Sequence, residues 1–349
     1  MEILDLVKRF AEHPGVAAIQ KVWSDDSVRT MHFKGLSASA IPMLFAALAS
    51  TKKPWEVPVA LFVLNDLEEA GYFYHDLTQM LGENQVLFLP SSYKRAIKYG
   101  QKDSANEVLR TEVLTHLAEA EKLKIQNSKL KINSTSVTNQ PDDNNSQLSI
   151  LNSQLYIVSY PDALAEMVVS RDTLDTRSIS LAVGDTVEIP KMEDTLIGEG
   201  FERVDYVYEP GQFAVRGSII DVFSYASEYP FRIDLFGDEI DSIRTFEIES
   251  QLSRDKVPHV SIVPHFENSE AQGLVSFFDL LPESSALAFQ DYFWVHERID
   301  QLSAEIENSK LKIESAITPS DLQQDENNSQ FSTFNFQLLK SSDFIKATT

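Results

Sequence analysis

The chain of 349 residues contains no cysteine and is short of basic side chains. The absence of cysteine excludes disulfide bonds, thiolate zinc sites and cysteine nucleophiles. Lys and Arg number 30 against 53 Asp and Glu, which gives a formal net charge of −23. Such a charge repels the phosphate backbone, so we expect no binding to DNA by this chain alone. The seven His residues are scattered along the sequence, and we predict no metal site.

Long apolar runs are also missing. The longest, Ala40–Ala49, contains Pro42 and is too short to span a bilayer. Near the N-terminus, Ile3, Val7 and Phe10 recur at helical spacing with charged residues between them. This pattern is typical of an amphipathic helix and differs from the unbroken apolar segment of a signal peptide. We therefore predict a soluble, cytoplasmic protein that makes no contact with membranes.

The first part of the chain alternates strand and helix patterns. Val59–Leu64 is a continuous apolar run, as expected for a strand buried on both faces. Asn65 is the predicted N-cap of a helix that ends near Gly82, and a short strand is predicted at Thr30–Phe33. Strands separated by helices indicate βαβ units, so the predicted fold class is α/β with a parallel sheet. The remaining predicted elements of this part are strands at 86–89 and 156–159 and helices at 41–48 and 107–120.

Two segments depart from this pattern and share a repeat. The hexamer NSKLKI occurs at Asn127–Ile132 and again at Asn308–Ile313, each time followed by a stretch rich in Asn and Ser. A solenoid needs at least three stacked copies, so two copies do not indicate one. We interpret residues 121–154 and 308–342 as low-complexity insertions in surface loops, where added length costs little. A paired docking motif is the alternative interpretation.

The region from Gln212 to Phe246 predicts strands with an unusual outer face. Side chains alternate between the two faces of a strand, so Ile233 and Leu235 share one face, which we assign to the core. The opposite face then presents two arginines, an aspartate and a phenylalanine: Arg216, Arg232, Asp234 and Phe236. Arg and aromatic residues carry much of the binding energy at protein interfaces, so this face is a candidate binding surface. The alternative is a solvated polar face with one exposed Phe.

The same region, FAVRGSIIDVF followed by FRIDLFGDEIDSIRTF, resembles the UvrA-binding module of two bacterial repair families. These are the excinuclease subunit UvrB and the transcription-repair coupling factor, Mfd. Ala214 stands where the excinuclease subunit usually has an additional Arg, so the coupling factor is the closer match. The resemblance runs from Thr173 to about Arg254 and is looser on both sides. It implies that UvrA is contacted by the residues of the outer face: Arg216, Arg232, Asp234 and Phe236.

The segment Gly35–Pro42 resembles a P-loop that has lost its phosphate-binding residues. A working loop has the pattern G-x-x-x-x-G-K-[ST]. Gly35 is present, but Ala40, Ile41 and Pro42 stand at the second Gly, the Lys and the Ser/Thr. The excinuclease subunit carries an intact loop at this point, which implies that the present segment is a degenerate nucleotide site.

A second degenerate element lies later in the chain. The stretch LPESSALAFQD at Leu281–Asp291 resembles the strand that leads to the Asp-Glu pair of a Walker B motif. Asp291 is present, but Tyr292 replaces the Glu that polarises water. We therefore predict no ATP hydrolysis, no catalytic residues and no cofactor.

The resemblance predicts three segments. Residues 1–172 form a degenerate helicase-like α/β domain, residues 173–254 an inserted UvrA-binding α+β domain, and residues 255–349 complete the α/β body. The implied function is that of the N-terminal module of a coupling factor, which recruits UvrA to stalled RNA polymerase in nucleotide excision repair. Contacts with RNA polymerase and DNA would belong to the C-terminal part of a full-length protein.

Two alternative functions conflict with features of the sequence. An excinuclease UvrB-type subunit, which unwinds DNA with ATP, conflicts with Ile41 and Tyr292 at the positions of the required Lys and Glu. A damage-sensing DNA-binding protein conflicts with the net charge of −23.

Overall fold

The computed structural model describes residues 3–23, 25, 27–28, 30–50, 58–83, 85–92, 104–133, 154–266 and 273–316. These residues form a parallel sheet flanked by helices, a larger antiparallel sheet, and two short strand pairs. The predicted α/β class with a parallel sheet is therefore confirmed.

The described residues contain 14 strands. They are β1 (Val59–Val63), β2 (Val86–Phe88), β3 (Leu155–Ser159), β4 (Val168–Val169), β5 (Ile179–Ala182), β6 (Glu202–Arg203), β7 (Gln212–Arg216), β8 (Ile219–Val222), β9 (Phe231–Phe236), β10 (Glu239–Phe246), β11 (Ser253–Val257), β12 (His259–Ile262), β13 (Leu274–Val275) and β14 (Ala286–Phe289).

The helices lie mainly before and after the antiparallel region. They are α1 (Ile3–Ala11), α2 (Pro14–Trp23), α3 (Ala40–Ala49), α4 (Leu67–Leu81), α5 (Ser104–Asn133), α6 (Pro161–Leu164), α7 (Arg171–Arg177), α8 (Ile189–Gly198), α9 (Tyr292–Ala316) and a 3₁₀ helix at Phe277–Leu280.

The parallel sheet has the strand order β14-β1-β3-β2. Both inner strands, β1 and β3, are buried along their whole length, which is why their sequences VALFV and LYIVS carry no charge. Alternate residues face opposite cores: Leu61 and Ile157 pack with α5 and α9, whereas Phe62 and Val158 pack with α1, α3 and α4. The body is thus a sheet covered by helices on both faces.

The antiparallel region is built on a six-stranded sheet with the order β11-β10-β9-β8-β7-β6, in which only β6 and β7 run parallel. One face of this sheet packs on α8 and on the β5–β12 pair, and forms an apolar core. Ile233 and Leu235 lie in that core and are buried, which confirms the predicted alternation along β9.

Two short antiparallel pairs join this region to the body. Strand β4 pairs with β13, and β5 pairs with β12 over Ile179–Ala182 and His259–Ile262. The chain therefore leaves the body and returns to it side by side. The later strand β14 then pairs in parallel with β1 inside the body sheet.

Three predictions of local structure were wrong. Thr30–Phe33 is not a strand, and the helix after β1 is capped by Asp66, whose side chain accepts a hydrogen bond from the Glu69 N–H at 2.9 Å, and not by Asn65. Residues 121–133 and 308–316, assigned to low-complexity loops, are the final turns of α5 and α9. The rest of the two predicted insertions lies outside the described residues, apart from Gln154, which directly precedes β3.

Candidate binding face

The strand register places five residues of interest on one face of the antiparallel sheet. Ala214 of β7 is the cross-strand partner of Asp221 of β8, and Asp221 is the cross-strand partner of Arg232 of β9. Arg232 is opposite Arg244 of β10, and Asp234 is opposite Ser242. We name this surface the Arg–Phe face and define it as Arg216, Asp221, Arg232, Asp234 and Phe236.

Asp221 lies at the centre of the Arg–Phe face and is completely buried. Its Oδ1 accepts a hydrogen bond from Arg232 Nε at 2.8 Å, and its Oδ2 accepts one from Arg232 Nη2 at 2.9 Å. Arg216 Nη2 donates to the same Oδ2. A buried carboxylate is tolerated because charged donors satisfy its oxygens, and here two guanidinium groups do so.

Each of these arginines is also held by a backbone carbonyl and an aromatic ring. Arg232 donates from Nη1 to the Gln251 carbonyl at 3.1 Å, and its guanidinium carbon lies 4.5 Å from the centre of the Phe246 ring. The pairing with Asp221 raises the pKa of Arg232 still further. Its side chain is only 15% exposed. Arg232 lies on the predicted outer face, but it is not displayed to solvent as expected, because its guanidinium turns inward onto Asp221.

Arg216 is held in a similar way but remains more accessible. It donates from Nη1 to the Asp205 carbonyl at 3.1 Å, and its guanidinium carbon lies 5.0 Å from the centre of the Tyr206 ring. Its side chain is 36% exposed. Of the two arginines, Arg216 therefore presents the larger cationic surface to solvent.

Asp234 and Phe236 complete the face on β9. Asp234 accepts hydrogen bonds from Arg244 and from the Ser242 hydroxyl, so it too is paired within the sheet. Phe236 is the last residue of β9, next to Gly237, whose φ of 66° turns the chain into β10. The Phe236 side chain makes the hairpin end apolar and is 85% exposed.

Sequence reasoning missed Asp221 and Arg244. The signal for Asp221 was available, because an aspartate between Ile220 and Val222 is rare in the interior of a strand. Arg244 stands in the run EIDSIRTF, and its role depends on the β9–β10 register and on the bulge between Ile240 and Ser242. A bulge shifts the alternation of faces, so the sequence pattern alone does not place Arg244 opposite Arg232.

The predicted degenerate nucleotide site lies at the start of α3. Gly35 is exposed with a φ of 83°, and Ala40 is the first residue of the helix. Ile41 is partly buried and packs against the apolar core, and Pro42 is buried in α3. A Lys at the position of Ile41 would meet phosphate in a working loop, whereas this side chain faces hydrocarbon.

At the end of β14, Asp291 serves as a helix cap. Its Oδ1 accepts a hydrogen bond from the Trp294 N–H at 3.0 Å, at the start of α9. Tyr292 packs edge-on against Phe289 at a centroid distance of 5.4 Å.

Among the described residues, no group of three or more His, Asp or Glu side chains is placed to hold a metal ion. No helix in the described ranges is long and apolar enough to cross a membrane.

Comparison with known proteins places this face in a recognised domain. Residues 179–267 match the family described as UvrB interaction domain. The chain is 28% identical over 232 residues to the transcription-repair-coupling factor of Bacillus subtilis (strain 168), an alignment that covers 66% of this chain and 16% of the relative.

Two further relatives carry the same name. The protein of Haemophilus influenzae (strain ATCC 51907 / DSM 11121 / KW20 / Rd) is 40% identical over 95 residues, covering 27% of this chain and 8% of the relative. That of Escherichia coli (strain K12) is 30% identical over 117 residues, covering 34% and 10%. The matched stretches span 16% or less of the length of these relatives. The resemblance to the coupling-factor family is confirmed.

Proposed function

We propose that this chain is the UvrA-binding part of a transcription-repair coupling factor and recruits UvrA through the Arg–Phe face. We further propose that the chain itself has no ATPase activity. The observation that carries the proposal is Phe236, an aromatic side chain that is 85% exposed on the same sheet face as Arg216, within the matched domain. Burying a Phe side chain under a partner contributes about 1.5–3 kcal/mol, and aromatic and Arg residues dominate binding at interfaces.

The contact roles divide between apolar and charged side chains. Phe236 supplies apolar area, and Arg216 supplies a cation for charge pairing, which sets the register and the association rate. Arg232 and Asp234 are engaged by neighbours in the sheet, so we assign them a smaller direct share of the contact. We assign contacts with stalled RNA polymerase and with DNA to other parts of a full-length coupling factor, in keeping with the charge of −23.

An ATP-dependent unwinding subunit of the excinuclease type is the alternative function. It requires a lysine and a hydroxyl where this chain has Ile41, which packs against the apolar core, and Pro42, which is buried in α3. We therefore prefer the recruitment function. We also propose that this chain acts in the cytoplasm, where UvrA and RNA polymerase act.

The test is calorimetry of wild-type and variant chains with UvrA from the same organism. We expect Phe236→Ala to weaken binding by about 2 kcal/mol or more, roughly thirtyfold, with little change in the urea-induced unfolding transition. The matched control is Phe293→Ala, which removes an equally exposed phenylalanine (82%) from α9 in the body and should leave binding unchanged.

Leu235→Ala reports on the opposite face of the same strand. Leu235 is buried in the core, so its truncation should lower the free energy of unfolding by about 2–5 kcal/mol. Wild-type affinity for UvrA in Phe236→Ala, or an equal loss in Phe293→Ala, would contradict the proposal.

A further inference from the structure

We propose that Asp221 is the positioning residue of the Arg–Phe face: it fixes the Arg216 and Arg232 guanidinium groups so that UvrA meets an ordered cation. This inference rests on the proposed function and assigns a role to a residue that the partner does not touch. Asp221 has no exposed surface, so it acts only through the two arginines that it holds.

The buried carboxylate of Asp221 is unusual in the interior of a strand. Removing a charge from water is costly, and buried ion groups often contribute no more stability than apolar side chains of the same size. Asp221 lies between Ile220 and Val222, where an apolar residue would fit the strand. A role in stability therefore explains the carboxylate poorly, whereas a role in geometry explains why both its oxygens are engaged by arginine.

The Arg216 side chain is held in place before any partner binds. A free arginine side chain loses up to about 2 kcal/mol of rotamer freedom when a partner immobilises it. Arg216 is already held at three points, by Asp221, by the Asp205 carbonyl and by the Tyr206 ring. Its remaining exposed surface is therefore presented in one orientation before UvrA arrives, and less freedom is lost on binding.

The charges of the cluster do not cancel. One carboxylate balances one of the two guanidinium groups, and Asp234 pairs with Arg244 alongside, so the cluster retains one net positive charge. This positive point lies on a chain whose formal net charge is −23. The chemistry that matches it is a carboxylate on the UvrA surface, next to an apolar pocket for Phe236.

The deciding variant is Asp221→Asn, which keeps the shape of the side chain and removes its charge. If Asp221 positions the arginines, affinity for UvrA falls about tenfold or more, a coupling in the usual range for residues of one network. If Asp221 acts only as a long-range negative charge, its removal strengthens binding to an acidic partner. The matched control is Asp255→Asn, the same charge change at a side chain 80% exposed on β11 of the same sheet. Equal or tighter binding by Asp221→Asn would overturn the inference.

Two readouts separate positioning from general destabilisation. In a double-mutant cycle, Asp221→Asn should add little to the binding loss of Arg216→Ala, because both changes release the same guanidinium group. Fully additive binding losses would contradict the inference. If Asp221→Asn does not fold, Arg216→Lys replaces it, because Lys keeps the charge but lacks the planar fork that makes several contacts at once. Wild-type affinity in Arg216→Lys would count against positioning by Asp221.

A measurement without UvrA keeps this inference distinct from the proposed function. Hydrogen exchange of the Arg232 Nε–H, followed by NMR on the isolated chain, should be slower than that of the exposed Arg203 and should accelerate in Asp221→Asn. Unchanged exchange in the variant would overturn the ordering by Asp221. If exchange shows that Asp221 orders Arg232 but Phe236→Ala binds UvrA like the wild type, the proposed function is contradicted. The positioning of the arginines by Asp221 would then still be supported.

Discussion

Glu112 lies on α5, where burial raises the pKa of its carboxyl group to about 7 and the nearby Glu228 carboxylate adds to the rise. A carboxyl group whose pKa is higher in the folded than in the unfolded state stabilises the fold below the unfolded value, here about 4.5. This stabilisation is lost as the pH rises through about 7. This repulsion acts between the body helix α5 and the segment between β8 and β9, where Glu228 lies.

We predict that Glu112→Gln removes this pH dependence. Relative to the variant, wild-type protein should lose about 1–3 kcal/mol of unfolding free energy between pH 5 and pH 8, because a charge must then be buried near Glu228. Urea-induced unfolding at several pH values measures the difference. The control is Glu68→Gln, an exposed glutamate on α4. Parallel stability curves for wild type and Glu112→Gln would contradict the prediction.

For single residues, the sequence predicted which face of the sheet a side chain leaves better than it predicted which side chain it contacts. Period-two alternation placed Phe236 outside and Leu235 inside, and both are found there. It did not reveal that Arg232 turns onto Asp221, because a long side chain leaving one face of a strand still reaches its cross-strand neighbour. The identity of that neighbour depends on the β8–β9 register, which no local pattern specifies.

Among the elements, α4 offers a direct test of a capping assignment. The Asp66 side chain accepts a hydrogen bond from the Glu69 N–H, and its charge also favours the N-terminal end of the helix dipole. The neighbouring Asn65 Oδ1 is buried and has no hydrogen-bond partner within the part of the chain that the structure describes.

We predict opposite results for these two positions. Asp66→Ala should lower the free energy of unfolding by about 1 kcal/mol, whereas Asn65→Ala should be neutral or stabilising, since it removes an unsatisfied acceptor. Chemical denaturation of both variants provides the measurement. A larger loss in Asn65→Ala than in Asp66→Ala would show that the cap is assigned to the wrong residue.

Elements with strong local signals were predicted well, and those that depend on their neighbours were not. The apolar run of β1 and the helix α3 follow from composition alone. The two NSKLKI copies were assigned to loops because they lack an apolar stripe, yet both continue a helix. Extending an existing helix adds one hydrogen bond for each residue that becomes fixed. A polar segment that contains good helix formers such as Lys and Leu can therefore continue the helix without packing against an apolar core.

At the scale of the whole molecule, the segments stay predictions with one adjustment. The boundary predicted at residue 254 falls within β11, whereas β12 pairs with β5 and contributes Val260 and Ile262 to the core of the antiparallel region. We therefore propose that the domain extends past Ile262. A sequence-based boundary follows a motif, but a physical boundary follows the core that the segment completes.

We predict that ATP with Mg²⁺ does not stabilise this molecule. Pro42 has no N–H to offer a phosphate, and Ile41, which packs against the apolar core, replaces the Lys that would meet it, so the start of α3 lacks these donors of a phosphate site. A ligand at one hundred times its dissociation constant would add about 2.7 kcal/mol, which raises the melting temperature by several degrees. Thermal melts with and without nucleotide measure this, with the organism's own UvrB as positive control. A reproducible rise in this chain would reinstate the unwinding-subunit alternative.

The side-by-side strands that join the antiparallel region to the body have an architectural consequence. Pairs β4–β13 and β5–β12 form a stem, so the host fold accommodates everything between them much as it would a hairpin turn. The entropic cost of closing a loop rises only slowly with its length, and here the two ends of the segment are neighbours. A body of this kind can therefore gain or lose the inserted domain without rearrangement of its own strands. The same binding surface can in this way occur in proteins whose other domains differ.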